Sequence, residues 1–200
     1  MRHEPRLHIL PPGYGCCLVL TAHSNTSVAT LLGSLLEGSF PMNDTLAVIK
    51  PEYCIELERT YAFPIEAVWK ALTSSNEISD WMGYEASLEQ RIGGRIFVDF
   101  KSEGSMEGIV CEWEPYKVFA HTWNLSVVKW ELQPDGESTH LRFTNSHAIP
   151  EIVVGFAAGW HAFIDHLGPH LAGDSVADRF DELMSVYENR YDQLSVACDS

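Results

Sequence analysis

The chain has 200 residues, 46% of them hydrophobic and 20% charged. That is room for one domain with a sizeable core, and too apolar for wholesale disorder. The net charge of −15, from 28 acids against 13 bases, excludes a nucleic-acid binder, which needs a basic stripe to neutralise phosphate, and electrostatic docking on anionic membranes. No apolar run approaches the roughly 18–20 residues of a spanning helix, so no membrane insertion is expected.

In chain order, residues 1–41 come first and read poorly as a folded unit. Pro11, Pro12, Gly13 and Gly15 break any early element. Cys16–Leu20 is a short apolar run, and Val28–Leu36 has length for two or three helical turns. A secretory signal is disfavoured, because Pro-Pro-Gly interrupts the apolar region and no clean A-x-A site follows it. The expectation is a disordered or loosely packed N-terminal extension over residues 1–41, with Met42 an alternative start, and one domain over residues 42–200.

From Pro51 the signals are regular. Cys54–Tyr61 alternates apolar and polar like a half-buried strand. Pro64 stands where a first helical turn tolerates it, and Ile65–Leu72 has helical spacing. Ser74 or Ser75 can cap a short second helix through Glu77–Trp81, ended by Gly83. Six strand-like stretches follow: Glu85–Arg91, Arg95–Lys101, Met106–Glu114, Val118–Asn124, Val127–Gln133 and His140–Ser146. Gly93-Gly94, Glu103-Gly104, Pro115-Tyr116 and Asp135-Gly136 supply turn chemistry between them, which predicts an antiparallel meander. Glu151–Leu167 places Val153, Phe156, Trp160, Phe163, Ile164 and Leu167 on one apolar helical stripe. Gly155, Ala158, Gly159 and Ala162 are small enough to let another backbone approach. Pro169 is expected to end or kink this helix. Asp174–Leu194 adds a second, acidic helical segment with Phe180, Leu183, Met184, Tyr187 and Tyr191 on one side.

This order predicts an α+β fold in which a curved antiparallel sheet wraps around a long C-terminal helix. The residues that carry a family likeness are Trp81-Met82, Gly93-Gly94 with Phe97, Gly108-x-Val110-x-Glu112-x-Glu114-Pro115, Thr122-Trp123, Trp130-Glu131-Leu132-x-Pro134 and Gly159-Trp160-His161. In their order and spacing they resemble the START-like (Bet v 1-like, SRPBCC) superfamily, in the branch named for the activator of the ninety-kilodalton heat-shock-protein ATPase. The likeness covers about residues 52–194. It implies a helix-grip fold with an internal cavity and an extra C-terminal helix of the kind seen in bacterial members. Known members bind apolar small molecules, act as cyclases or serve as co-chaperone domains.

The chemistry-bearing motifs are then weighed one by one. His161, His166 and His170 are close in sequence, but Gly168-Pro169 intervenes, no H-E-x-x-H occurs and spacing fixes no third ligand, so no metal site is expected. His161 falls on the flank of the stripe, where it would bond to the sheet or line a rim. No G-x-S-x-G is present and Gly93-Gly94 precedes a strand, so neither a catalytic residue nor a phosphate cradle is assigned. Glu112 and Glu114 share a strand face that reads as solvent-facing, which points Ile109, Cys111 and Trp113 at the core. The five cysteines, an odd number without C-x-x-C, fit a reducing cytoplasm.

What remains is aromatic. Six tryptophans lie between Trp69 and Trp160. Phe119, His121 and Trp123 share one strand face, as do Val128, Trp130 and Leu132. The candidate ligand-binding set is Trp81 and Phe97; Trp113, Phe119, His121 and Trp123 on the middle strands; Trp130 and Phe143 on the last two; and Phe156, Trp160, Phe163 and Ile164 on the helix. Aromatic walls with one or two polar groups describe a small-molecule pocket, and equally an ordinary core. The function expected is a binding protein holding an apolar or amphipathic ligand without turnover and without a cofactor. The alternatives are a chaperone-interacting protein that modulates a heat-shock-protein ATPase, and a cyclase or hydrolase using the same cavity. A homodimer is compatible with this reading.

Overall fold

The computed structural model describes residues 47–50, 54–146, 152–174 and 179–198. The expectation for residues 1–41 lies outside them. In chain order the elements are β1 (Val48–Lys50), β2 (Cys54–Tyr61), α1 (Ile65–Thr73), α2 (Ser75–Met82), β3 (Glu85–Leu88), β4 (Arg95–Asp99), β5 (Ser105–Glu114), β6 (Val118–Trp123), β7 (Ser126–Asp135), β8 (Ser138–Ser146), α3 (Val153–Ala172) and α4 (Phe180–Cys198). A single 3-10 turn, Lys101–Glu103, lies between β4 and β5.

All eight strands form one antiparallel sheet in the order β1-β2-β8-β7-β6-β5-β4-β3. Strands β3 to β8 are the meander expected from their turn chemistry, and β2 closes it by pairing with β8. The curved sheet grips α3: the arrangement is the α+β helix-grip fold, with α4 as the extra C-terminal helix. Gly93 adopts a φ of +74° in the turn before β4, and a Cβ on Gly94 would stand 2.3 Å from the Glu89 carbonyl oxygen. Only glycine fits that turn without displacement.

Side chains alternate between two faces. The inner face carries Leu57 on β2, Ile96 and Val98 on β4, Phe119 and Trp123 on β6, Val128, Trp130 and Leu132 on β7, and Leu141 and Phe143 on β8, all buried. The outer face of the central strands is a charged ladder. Lys129 Nζ lies 3.1 Å from Glu112 Oε2, and Arg142 reaches Glu56 at 2.7 Å and Glu131 at 3.5 Å. Glu112 and Glu114 are therefore on the solvent side.

Two expectations are corrected. Ile109 and Cys111 do not face the core: Ile109 is 46% exposed and Cys111 is exposed. The inward parity of β5 is set by Met106, Gly108 and Val110. At Gly108 no side chain advertises it; a Cβ there would lie 2.1 Å from the Thr122 carbonyl oxygen. An irregularity between Val110 and Glu112 then shifts the register and brings Trp113 to the inner face. The second correction concerns one half of the end-or-kink expectation for Pro169: it does not end α3. The helix continues to Ala172 and ends at Gly173, whose N–H donates to the His170 carbonyl at 3.0 Å. Leu171 packs on the core and His170 Nε2–H donates to Glu77 Oε2 at 2.7 Å, contacts that hold the turn past the missing proline donor.

Gly155 also departs from its expected part: among the described residues, nothing beyond its own helix lies within 4 Å of where a Cβ would stand. The segment expected from Asp174 is helical from Phe180, with Phe180, Leu183 and Tyr187 buried. The side chain of Tyr191 lies outside the described residues.

Candidate functional site

The sequence reading pointed at the space between the sheet's inner face and α3. Helix α3 buries Val153, Ala157, Ala158, Trp160, Phe163, Ile164 and Leu167, and Trp160 stands at the centre of that stripe. Its ring centroid is 4.7 Å from Trp123, 4.8 Å from Phe143, 5.8 Å from Trp130 and 6.1 Å from Phe163. Edge and tilted contacts dominate, the geometry ring quadrupoles prefer.

From this centre the rings run outward in two directions. Along β6, Trp123 leads to His121 at 5.9 Å, Phe119 at 5.0 Å further on, then Trp113 and Trp69. Trp130 leads to Trp81 at 6.4 Å, whose indole N–H donates to the Ala71 carbonyl at 2.9 Å and ties α2 to α1. Tyr84 and Phe100 join through Phe163 and Trp123.

Of the twelve residues expected to line a site, nine belong to this one ring network. Ile164 is buried beside it, and Phe156 is partly buried and packed against it. Phe97 is not part of it. It alternates with buried Ile96 and Val98, pairs with exposed Ser87 and Glu107, and so stands on the outer face. Sequence reasoning missed Trp69, Tyr84 and Phe100. Phe100 was legible, since it continues the Ile96, Val98 alternation, and Tyr84 likewise continues that of Ala86 and Leu88.

The polar member of the network is His121, 2% exposed. Nδ1 lies 3.0 Å from the Thr122 carbonyl oxygen. Burial pulls its pKa down to about 4, against a smaller opposing effect of that hydrogen bond. The imidazole is therefore neutral near neutral pH, donates from Nδ1 and keeps Nε2 as an acceptor.

The opposite flank of α3 is built from charges. Arg59 Nη2 of β2 donates to His161 Nε2 at 2.7 Å, and His161 Nδ1–H donates to the Tyr187 hydroxyl at 3.0 Å. A guanidinium can only donate, so Nε2 must carry the lone pair and the proton must sit on Nδ1. The Tyr187 hydroxyl also accepts from the Ala47 N–H at 2.6 Å. Asp165 takes Arg59 on one oxygen and Arg179 on the other, each at 3.3 Å. Burial pushes the Tyr187 and Tyr61 hydroxyls well above the usual phenol range. His161 thus bonds to the sheet, one of the two positions expected for it.

The other two histidines go elsewhere. His166 Nδ1–H donates to the Trp81 carbonyl at 3.2 Å. His170 joins Lys70 on Glu77, and these hydrogen bonds, Lys70 first, hold the Glu77 carboxyl below its usual range. Among the described residues no three His, Cys, Asp or Glu side chains are grouped so as to hold a metal ion.

Comparison with known proteins decides the family. The family described as "Activator of Hsp90 ATPase homolog 1-like protein" matches residues 62–172. The chain belongs to this family. Protein MLL2253 from Mesorhizobium loti is 28% identical over 62% of this chain and 99% of that one, with a TM-score of 0.57. CalU16 from Micromonospora echinospora is 22% identical over 74% of this chain and 94% of that one, with a TM-score of 0.60. DynU16, from the dynemicin biosynthetic locus, is 23% identical over 62% of this chain and 49% of that one, with a TM-score of 0.56. The last two likenesses are of fold. No curated protein matches the chain. Among the described residues no helix is long and apolar enough to cross a membrane.

Proposed function

We propose that this member of the family is a binding protein that holds an apolar or amphipathic small molecule between the sheet and α3, without turnover. The observation that carries the reading is the aromatic inner wall with a neutral polar group, His121, set into it. Small-molecule sites combine largely apolar walls with a few placed polar groups. The one proton donor of His121 is committed to a backbone carbonyl, which suits orientation of a ligand better than proton transfer. A cytoplasmic setting goes with this reading, on the odd cysteine count and the exposed thiol of Cys111.

The test is native mass spectrometry of freshly purified protein, followed by titration with an environment-sensitive hydrophobic dye. A retained small molecule, or saturable dye binding near micromolar, about −8 kcal/mol, is the expected result. Ala158→Phe and Ala162→Phe fill positions buried under α3 and should abolish the binding while the fold persists. Dye binding unchanged in both folded variants would refute an internal site.

A second reading has its own observation. Away from the charged ladder, the outer face near β4 and β5 shows Ile92 at 66% and Ile109 at 46% exposure, with Phe97 partly buried beside them. We propose this patch as the contact surface if the chain modulates a heat-shock-protein ATPase. Stimulation of such an ATPase by the intact protein, lost on Ile109→Asp, would support it.

A further inference from the structure

The inner face carries a second buried polar side chain that the ring network does not use. Asn145 of β8 is 0% exposed. It stands one inward position past Phe143, in a cross-strand row that runs Ile55, Asn145, Val128, His121 and Val110. Its amide orientation is fixed by its neighbour. The Ser126 hydroxyl donates to the Trp123 carbonyl at 2.8 Å, so the Ser126 oxygen can only accept, and Asn145 Nδ2 donates to it at 3.2 Å. The carboxamide oxygen is therefore the end turned away, and Oδ1 is buried with no hydrogen-bond partner among the described residues. A buried acceptor left unsatisfied is destabilising, and a donor brought in from outside would remove that cost.

The geometry says what kind of molecule can bring it. Tyr61 and Arg59 of β2 meet Ile164 and His161 of α3, so the strand and the helix run in the same sense. Asn145 pairs with Ile55 at the start of β2. Its row lies between the row of Phe143 and Trp130 and the row of Trp123 and Ser126, so Trp160, whose ring centroid is 4.8 Å from Phe143 and 4.7 Å from Trp123, stands over it. The floor of the row is Val128, and its next polar member, two strands away, is His121 with Nε2 as an acceptor. Both polar groups thus offer acceptors in apolar surroundings.

We propose that this row is the polar end of the ligand site and selects an apolar ring system bearing a hydroxyl, which donates to Asn145 Oδ1. The inference rests on the internal-binding reading above and adds the chemical class.

The test compares two probes of one shape, 2-naphthol and 2-methoxynaphthalene, by fluorescence titration of the intact protein. The folded wild type should bind 2-naphthol about tenfold more tightly, the scale of one satisfied buried acceptor. Asn145→Leu should bring the ratio close to one. Ser126→Ala removes the group that fixes the carboxamide, lets the NH2 end turn inward and should also shrink the ratio; it carries the test if the leucine variant does not fold. Equal binding of the two probes by the wild type, or a preference that survives the substitutions, overturns this assignment and leaves internal binding standing. A single buried water on Oδ1 as its sole partner would give that equal binding. Saturable binding of neither probe removes the internal-binding reading and this one together.

Discussion

The two flanks of α3 are built on opposite principles. Toward β6, β7 and β8 the helix presents Trp160 to three rings at 4.7–5.8 Å. Toward β2 and α4 it presents His161 and Asp165 to Arg59, Arg179 and Tyr187. The aromatic flank gains from non-directional burial, about 25 cal/mol for each Å² of apolar area, and tolerates many arrangements of similar volume. The polar flank gains little net energy, because desolvating ions offsets much of their attraction, but each bond has one donor, one acceptor and one direction. The first holds the helix to the sheet. The second fixes where along the sheet it sits and how α4 and the start of β1 close over it, since a slip would leave Arg59 and the histidine without complements.

Truncation of the central ring should separate the two most strongly. Trp160→Ala is expected to destabilise by about 3–5 kcal/mol, read by denaturant unfolding. A folded variant of near wild-type stability would mean that the rings border open space instead of filling it, and would shift weight to a large cavity.

Acid probes the imidazole of the aromatic flank. His121 titrates at about 4 when folded, against an ordinary value of 6.5. Above 6.5 both states are neutral and stability is complete. As the pH falls below 6.5 the unfolded chain takes up the proton and the folded chain does not, so stability is lost down to about 4 and then levels off. The full loss is on the order of 3 kcal/mol. His121→Leu should remove this slope, measured as the pH dependence of unfolding free energy relative to wild type. Parallel slopes in the two proteins would show that the imidazole charges inside the fold.

On the polar flank, Tyr187→Phe deletes the acceptor shared by His161 Nδ1–H and the Ala47 N–H. The expected cost is about 1–3 kcal/mol, with amide exchange accelerating at Ala47. Unchanged exchange there would mean that the hydroxyl is not what ties that residue down. The smallest effect is expected at the chain's beginning. We propose that a chain starting at Met42, which retains Ala47 and β1, melts within about 2 °C of the full chain, less than the 2–4 °C expected of 1 kcal/mol at this size. A larger drop would show that residues 1–41 support one of the flanks.

Much of this was legible in the sequence. The meander, the two short helices and the α3 stripe each announced themselves by periodicity or turn chemistry, and nine of the twelve expected site residues fell into one ring network. The errors have two causes. Phe97 is chosen for its aromatic character, when facing is decided by strand parity, and Ile109 is placed by an alternation counted back from Glu112 across a register shift. On β5 that parity is hidden by Gly108, which has no side chain, and altered after Val110 by the register shift. Asn145 was passed over because a lone asparagine at a strand end carries no signal in one dimension.

The local pattern of the chain thus determined which segments are strands and which are helices, because those choices follow from the spacing of apolar residues and from turn residues within a few positions. What only the tertiary structure decided are the pairings between groups far apart in sequence. Arg59 meets His161 and Asp165, Tyr187 meets Ala47, and Ser126 turns the Asn145 carboxamide so that its oxygen is left without a partner among the described residues. Hydrogen bonds act over about 3 Å, and whether two groups come that close is set by strand register and helix placement, which local spacing does not encode.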